Sequence, residues 1–205
     1  VTMTEDRHVQ IQRVDGSDLR QLSCDGEKNF IFAVAVSPHP DDPRIAVGCY
    51  DGAVLVFDAL ATRTDSWSHK VKADVPVTAL AFSWDGQYVA SGDADGTVNL
   101  WKRGQKLVWI GQDARGAKKS PIRHNIHKAI SDIGFSKKES NLLLTNGEDV
   151  QAIVWSLDLQ GRRLERVEKG GKNNWPLAHD RPVIAGKFVS LRGNEASVVT
   201  ISGKN

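Results

Sequence analysis

Residues Val77 to Lys102 read VTALAFSWDGQYVASGDADGTVNLWK, and this stretch predicts three short strands joined by two tight turns. Apolar residues occupy both alternating sets of positions in the first strand, which is typical of a strand buried on both faces. Asp85-Gly86 and Asp95-Gly96 supply the two turns, because glycine adopts a positive φ at little steric cost. The stretch ends in the run from Thr97 to Trp101, which is predicted as the third strand.

The spacing from an aspartate to an aromatic residue recurs along the chain. The pairs, each six residues apart, are Asp51 with Phe57, Asp95 with Trp101 and Asp149 with Trp155, with a degenerate copy at Asp6 and Gln12. Four residues before each aspartate lies an equivalent second-strand position, occupied in turn by Thr2, Val47, Ser91 and Thr145, with Thr200 as the fifth. The intervals between these positions are 45, 44, 54 and 55 residues. Periods of this size indicate a repeat architecture.

These turns and spacings resemble those of the WD-repeat β-propeller family, with the usual Trp-Asp dipeptide present as Trp101-Lys102. The resemblance implies an all-β fold of four-stranded antiparallel blades, with about four blade equivalents in this chain. A sandwich or barrel with evenly spaced strands is the alternative. Neither of those folds requires glycine, aspartate and tryptophan at fixed offsets, so a propeller is the prediction.

Each repeat is predicted to run from an innermost strand to an outermost one. The innermost strands are expected at Phe32–Ser37, Val77–Ser83, Ile130–Ser136 and Val183–Ser190, and the outermost at Leu19–Cys24, Ser66–Lys72, Lys106–Ile110 and Arg163–Val167. The whole chain, 1–205, is then one propeller region with repeats near 1–24, 30–72, 77–110, 127–167 and 179–205. Both ends are predicted to lie inside a blade. Three hypotheses follow: a piece of a longer protein, two copies sharing one ring, or four blades closing alone. The first is favoured and the shared ring is second.

Composition is that of an ordinary globular protein, with 40% hydrophobic and 25% charged residues. The net charge of +2 by itself implies neither a nucleic-acid nor a membrane partner. No apolar run is long enough for a transmembrane helix, and the first residues do not form a signal peptide. Two cysteines, Cys24 and Cys49, and no Asn-x-Ser/Thr acceptor predict an intracellular, cytoplasmic protein with buried thiols.

The polar residues of the repeats admit a catalytic and a structural interpretation. His127, Thr145 and Asp149 have the side chains of a catalytic triad. The resemblance implies instead a buried hydrogen-bond network that ties turn, strands and tryptophan together, and this is the prediction. The predicted network residues are Asp51, Ser91, Asp95, Trp101, His127, Thr145, Asp149, Trp155 and His179.

No metal or cofactor is predicted. His124 and His127 lie three residues apart, but no cysteine or carboxylate accompanies them at zinc-ligand spacing. The chain also has no glycine-rich phosphate loop and no nucleophile-elbow motif. The sequence therefore predicts that the protein is not an enzyme.

Two long connections carry the candidate partner-binding residues. Residues 111–128 contain five lysines or arginines and one aspartate, which gives a local charge of +4. The basic connection is predicted to contact an acidic peptide or a phosphate, with a solvated loop as the equally weighted alternative. Trp175, in the next long connection, is either packed on a blade edge or exposed as an anchor. The candidates are Arg115, Lys118, Lys119, Arg123 and Trp175.

The predicted function is that of a non-catalytic scaffold that binds protein or peptide partners, as the resemblance implies. One alternative is a sensor or regulatory propeller domain of a larger multidomain enzyme. A lesser alternative is nucleic-acid or phosphate contact through the basic loop 115–128, which the small net charge disfavours. Self-association is expected only if two copies complete one ring.

Overall fold

The computed structural model describes residues 2–3, 8–12, 15, 20–24, 29–60, 67–70, 75–102, 122–123, 128–137, 141–158, 163–167, 177–190 and 196–203. Within these ranges every regular element is a β-strand. No helix there is long and apolar enough to cross a membrane.

The strands form five antiparallel sheets, which we number as blades in chain order. The first blade contains β1 (Thr2–Met3), β2 (Val9–Ile11) and β3 (Arg20–Leu22). The second contains β4 (Ile31–Val36), β5 (Arg44–Cys49), β6 (Ala53–Asp58) and β7 (Trp67–Lys70). The third contains β8 (Val77–Phe82), β9 (Tyr88–Asp93), β10 (Thr97–Lys102) and β11 (Ile122–Arg123). The fourth contains β12 (Ile130–Phe135), β13 (Leu142–Gly147), β14 (Gln151–Asp158), β15 (Arg163–Arg166) and β16 (Leu177–Ala178). The fifth contains β17 (Val183–Ser190) and β18 (Ala196–Ser202).

The all-β propeller architecture predicted from the sequence is confirmed. The innermost strands β4, β8, β12 and β17 begin within one residue of their predicted starts, and β4, β8 and β12 each contact the innermost strand of the next blade. Gly52 and Gly96, at the turns between second and third strands, have φ values of 85° and 81°. Only glycine adopts such values without strain, so these turns specify the hairpins.

The outer strands differ in part from the prediction. Two-residue strands, β11 and β16, pair with the first two residues of β10 and β14 in the same register. In the fourth blade both β16 and β15 pair with β14. The first two residues of β14 pair with β16, and its later half pairs with β15. The outermost strand predicted at Lys106–Ile110 lies outside the described residues, so the third-blade strand that the structure describes there is β11. Backbone groups at the start of β10 and β14 are thus paired by residues of the connection that follows each strand.

Each apolar core lies between two neighbouring blades rather than inside one. Between the third and fourth blades, for example, Val98 and Leu100 pack with Ile130, Leu143 and Trp155. A blade is only one sheet thick, and it buries its two faces only against its neighbours. The position of each blade therefore depends on how well its face fits the next one.

Small residues make that fit possible at two of these joints. A Cβ atom placed on Gly48 would lie 2.5 Å from Val77 Cγ1, and one on Gly92 would lie 2.5 Å from Ile130 Cβ. The first residue of the next blade therefore occupies the space that a side chain would need. We call these two contacts the glycine joints.

The next joint reverses this arrangement. Register places Asp132 opposite Asn146, where the earlier blades have Ala33 opposite Gly48 and Ala79 opposite Gly92. The glycine is now on the other side, because a Cβ atom on Gly186 would lie 2.8 Å from both amide atoms of Asn146. We call this contact between the fourth and fifth blades the polar joint.

Asp132 holds the polar joint together. Its Oδ2 accepts a hydrogen bond from the Gly186 amide at 2.9 Å, and its Oδ1 accepts one from the Ile133 amide at 2.9 Å. Burial raises the pKa of Asp132, although the two amides and Lys187 act in the opposite direction. Within the described residues, the fully buried amide of Asn146 has no hydrogen-bond partner. The joint therefore contains polar groups that are only partly satisfied.

Hydroxyl groups add a second link between innermost strands. Thr78 Oγ1 donates to the carbonyl oxygen of Ile130 at 2.7 Å, and Ser131 Oγ donates to the carbonyl oxygen of Val183. Both donors are the second residue of an innermost strand. Phe32 has this position in the second blade and has no hydroxyl to donate.

The two cysteines correct one expectation. Cys24 and Cys49 are buried as predicted, at 5% and 0% exposure, but they form a disulfide and are not free thiols. The bond joins Cys24, two residues after β3 of the first blade, to Cys49 at the end of β5 in the second. A cross-link of this kind stabilises a protein mainly by restricting its unfolded chain. It adds a covalent link to an apolar contact that already holds these two blades together.

Candidate functional site

The tryptophans of the third and fourth blades make the same hydrogen bond. Trp101 Nε1 donates to Ser91 Oγ at 3.0 Å, and Trp155 Nε1 donates to Thr145 Oγ1 at 2.8 Å. All four residues are at most 5% exposed. A buried indole N–H needs an acceptor, and a hydroxyl ten residues earlier on the neighbouring strand supplies one.

The second blade has neither the hydroxyl nor the tryptophan of this hydrogen bond. Val47 stands where the hydroxyl would be and Phe57 stands where the tryptophan would be, and both are buried. Because neither group needs a hydrogen bond, the joint loss leaves no buried donor unsatisfied.

Aspartate carboxylates accept hydrogen bonds from backbone amides in the turns between second and third strands. Asp51 Oδ1 accepts a hydrogen bond from the amide of Ala53 at 3.1 Å, and Asp149 Oδ1 accepts one from Gln151 at 3.3 Å. An aspartate side chain bonded to the amide two residues on is a turn-forming contact. The fixed aspartate spacing in the sequence therefore corresponds to a backbone requirement of the turn.

The third blade uses a carboxylate that the sequence analysis missed. Asp93 Oδ1 accepts hydrogen bonds from the amides of Asp95 at 3.0 Å and Thr97 at 2.8 Å. Burial raises the pKa of Asp93, and these amide bonds oppose the rise. The Gly-Asp-Ala-Asp-Gly run contains two aspartates, and the six-residue spacing selected Asp95.

His179 is the predicted network histidine that the structure describes. Its Nε2 lies 2.9 Å from Thr200 Oγ1, and its backbone amide donates to the carbonyl of Val150 at 2.9 Å. In the described part of the chain no carboxylate bonds this histidine, so no aspartate orients it as in a catalytic triad. His124 and His127 lie outside the described residues.

Most predicted partner-binding residues also lie outside the described residues. These are Arg115, Lys118, Lys119 and Trp175. The remaining one, Arg123, lies on β11, where its backbone pairs with Thr97 of β10. Among the described residues, no group of three or more histidine, cysteine or carboxylate side chains is arranged to hold a metal ion.

An exposed aromatic cluster, which we define as Phe30, Phe32 and Tyr50, lies at the start of the second blade. The ring of Tyr50 lies 5.9 Å from that of Phe30 and 5.8 Å from that of Phe32, measured between centroids. Phe32 and Tyr50 are 47% and 45% exposed. Sequence reasoning missed this cluster, although aligning the repeats would have shown aromatic residues where the other blades have none.

The other blades show that the fold does not require these rings. The amide of Tyr50 donates to the carbonyl of Phe30 at 2.8 Å, and the same backbone bond recurs in every later blade. The equivalent pairs are Ala94 with Pro76 at 3.0 Å, Glu148 with Ala129 at 3.0 Å and Gly203 with Pro182 at 3.1 Å. One backbone geometry thus accepts small, acidic or aromatic side chains.

A second exposed aromatic residue already has a cationic partner within the molecule. Trp84, in the turn after β8, is 43% exposed, and the Nζ of Lys137 lies 4.3 Å from its ring centroid. Lys137 belongs to the equivalent turn of the fourth blade. The ammonium group is attracted by the electron-rich ring face.

The chain was compared with protein families, and residues 32–167 match the model described as the Vps8 beta-propeller. Among curated proteins, it is 25% identical to Protein hir1 of Schizosaccharomyces pombe over 84% of this chain and 20% of that protein. It is 30% identical to WD repeat-containing protein 1 of Bos taurus over 60% of this chain and 18% of that protein. The chain thus spans about a fifth of the length of these relatives.

The fold also occurs among solved structures. A chain in the crystal structure of the mitotic checkpoint complex superimposes with a TM-score of 0.66 at 18% sequence identity. The match covers 94% of this chain and 52% of that one. At this level of identity the likeness concerns the fold alone.

Proposed function

This chain belongs to the Vps8 beta-propeller family, and on that premise we propose that it is a non-catalytic scaffold for protein or peptide partners. Its relatives include WD-repeat proteins, and a rigid set of blades suits such a role because it holds loops in fixed relative positions. Fold alone does not determine function, so the proposal needs an argument from the residues themselves.

One observation carries the proposal: the polar side chains that resemble catalytic groups are used in structural contacts. The hydroxyls of Ser91 and Thr145 accept bonds from buried tryptophans, and Asp51 and Asp149 bond turn amides. A nucleophile must instead face a cleft with its base and an orienting group beside it. These contacts favour binding over catalysis.

The Asp149→Ala variant tests whether the network is structural. The 205-residue protein is immobilised and used to capture binding proteins from a cell extract. Each captured protein is then purified and titrated against wild type and variant by calorimetry below the variant's melting temperature. We expect the same stoichiometry and an affinity within about twofold, because the Asp149 carboxylate is buried and bonds a turn amide. Loss of binding by a variant with an unchanged melt, or no captured protein that binds when purified, would overturn the proposal.

We further propose that the basic connection contributes to partner binding. The supporting observation is its local charge of +4 between residues 111 and 128, with Trp175 in the following connection as an apolar anchor. Charge reversal at Lys118 and Lys119 should slow association with an acidic partner, and more so at low salt. Charge reversal at Lys102 and Lys187, which lie on strands, serves as the matched control. Unchanged association rates at low ionic strength would contradict this part.

The ring is proposed to extend beyond these five sheets. Val199 and Ile201 are 53% and 57% exposed, whereas Ala46, Ala90 and Leu144, which are equivalent to Val199, are fully buried by the next blade. We propose that a further blade of a larger ring covers this face, with a second copy of the chain as the alternative. Native mass spectrometry of the chain and of Ile201→Asp separates them. A dimer that the substitution dissociates would favour a shared ring over a larger one.

The location is proposed to be intracellular and cytoplasmic, on the ground of the low cysteine content and the lack of a glycosylation acceptor. The Cys24–Cys49 disulfide argues in the opposite direction, since such bonds persist in oxidising compartments. A cytoplasmic location requires that this bond be reduced in cells, so alkylation of intact cells before lysis, followed by peptide mass spectrometry, should find Cys24 and Cys49 as thiols. A bonded pair in the alkylated cells would contradict a cytoplasmic location.

A further inference from the structure

We propose that the aromatic cluster of Phe30, Phe32 and Tyr50 is a docking site for an arginine or lysine side chain of a protein partner. The inference rests on the scaffold function proposed above and names one of its contact surfaces and the chemistry of the group bound there.

The first argument is that the cluster has no structural role common to the blades. The second residue of an innermost strand is Phe32 here, but Thr78 and Ser131 in the next two blades, where the hydroxyl links adjacent blades. The second blade therefore gives up a hydrogen bond at this position and exposes a ring. Exposed large apolar groups that the fold does not require indicate a contact surface.

The second argument concerns the charge of the segments around the cluster. The described residues of the turns 49–53, 93–97, 147–151 and 202–203, with the segments 29–30, 75–76, 128–129 and 181–182 bonded to them, include five carboxylates, one lysine and one arginine. The acidic residues are Asp51, Asp93, Asp95, Glu148 and Asp149, and the basic ones are Lys128 and Arg181. The equivalent turns lie at the same end of their sheets, and their excess of carboxylates favours the approach of a cation to Tyr50.

The third argument is the chemistry of the rings. The ring planes of Phe32 and Tyr50, the two exposed rings, are tilted by 35° to each other, so their faces point in different directions. Such faces attract ammonium and guanidinium groups. The Lys137 and Trp84 pair shows the same contact elsewhere in this molecule. Asp51 follows Tyr50 directly, so a negative charge lies on the same turn as the exposed tyrosine.

The test uses the 205-residue chain and three blocked heptapeptides of alanine and glycine. One carries two arginines, one carries two citrullines, which keep the shape without the charge, and one carries two glutamates. Backbone amide signals are followed by NMR during titration. The arginine peptide should shift the amides of Phe32 and Tyr50 more than those of Thr78 and Ala94, and the shifts should shrink with added salt. Equal responses to citrulline, or a stronger response to glutamate, would overturn the proposal.

The matched variants transfer the third blade's residues to the second. Phe32→Thr with Tyr50→Ala installs the side chains of Thr78 and Ala94 on equivalent backbone, so the fold should be retained. Affinity for the arginine peptide should fall about tenfold, as expected for the loss of two exposed cation–π contacts. Trp84→Ala, which removes an aromatic residue from a different turn, should leave the affinity unchanged. An unchanged affinity in the double variant would overturn the proposal.

The scaffold function and this contact can fail separately. If purified partners bind wild type and the double variant equally, the scaffold function stands and the aromatic site falls. If no purified partner binds wild type but the arginine peptide still does so through Tyr50, the scaffold function falls and the cation site stands.

Discussion

The third and fourth blades have the same strand register and the same tryptophan-to-hydroxyl bond, yet they meet their next neighbours in opposite ways. The third blade leaves a gap at Gly92 that Ile130 fills, whereas the fourth projects Asn146 against Gly186. The requirement common to both is that one of the two facing residues lacks a side chain. The comparison shows that a joint specifies a pair of residues, and neither residue alone determines the fit.

The largest effect is expected when the fourth blade's residue is placed in the third. Gly92→Asn should lower the free energy of unfolding by about 4 kcal/mol, because the new side chain meets Ile130 and buries an unsatisfied amide. Urea unfolding measures the change. The reciprocal change Asn146→Gly is the control, and it should be milder because it removes the unpartnered amide. Equal tolerance of both substitutions would contradict the paired-joint interpretation.

The next effect concerns the turns that both blades contain. Asp149→Ala should lower stability by about 3 kcal/mol, since it removes a 6% exposed carboxylate and leaves the Gln151 amide without its acceptor. In the third blade, where Asp93 accepts the turn amides, Asp95→Ala should cost clearly less. Thermal melts of the two variants measure the difference. A melt of Asp149→Ala within a degree of wild type would refute the prediction.

The polar joint should also make stability depend on pH. Burial raises the pKa of Asp132 above the ordinary 3.8, so the folded protein holds this proton where the unfolded chain has lost it. That contribution to stability is present below pH 3.8 and is lost as the pH rises through the raised value. Asp132→Asn should flatten this part of the curve, as measured by urea unfolding across the acidic range. Parallel curves for wild type and variant would contradict it.

Lys187 and Asp93 are the controls for the pH effect. The titratable groups on the strands packed against β12 are Lys187 on β17, and Tyr88 and Asp93 on β9. Lys187→Gln should leave the sign of the slope unchanged, because burial is the larger cause of the raised pKa. Asp93 titrates in the same direction and remains in the Asp132→Asn variant, so some slope should persist.

The smallest effect is a gain in stability. Val150 has a φ of 61° at the turn position where Gly52 and Gly96 have 85° and 81°. A β-branched residue is strained in this region, so Val150→Gly should stabilise the protein by about 1 kcal/mol. Gly96→Val is the matched reverse change and should destabilise it. Calorimetric melts measure both, and a loss of stability in Val150→Gly would show that the valine side chain contributes more by packing than it costs by strain.

Local patterns in the sequence were sufficient to predict the blades. Asp-Gly turns and the six-residue spacing from Asp95 to Trp101 depend on neighbours in the chain, so the innermost strands were located to within about a residue. The site was predicted less well. Asp95 satisfies the six-residue spacing, and only the structure shows that the buried carboxylate of Asp93 accepts the turn amides.

The joints were not predictable from such patterns. Asp132 bonds Gly186, 54 residues later, and the disulfide joins cysteines 25 residues apart in different blades. These contacts depend on the distance between two packed sheets, and no spacing within one repeat encodes that distance. The aromatic cluster is a different case, because Phe32 and Tyr50 differ visibly from Thr78 and Ala94 once the repeats are aligned.

The glycine joints also bear on how a chain of this type can lengthen by gene duplication. A second copy of the third blade would present Gly92 to another Val77, which is the contact that Gly48 already makes. A second copy of the fourth blade would present Asn146 to an innermost strand with Ile133 where the fifth blade has Gly186. Duplication is thus sterically permitted for the third blade and opposed for the fourth. The pair Asn146 and Gly186 therefore favours a fifth blade, and not a second copy of the fourth, as the unit that follows the fourth blade.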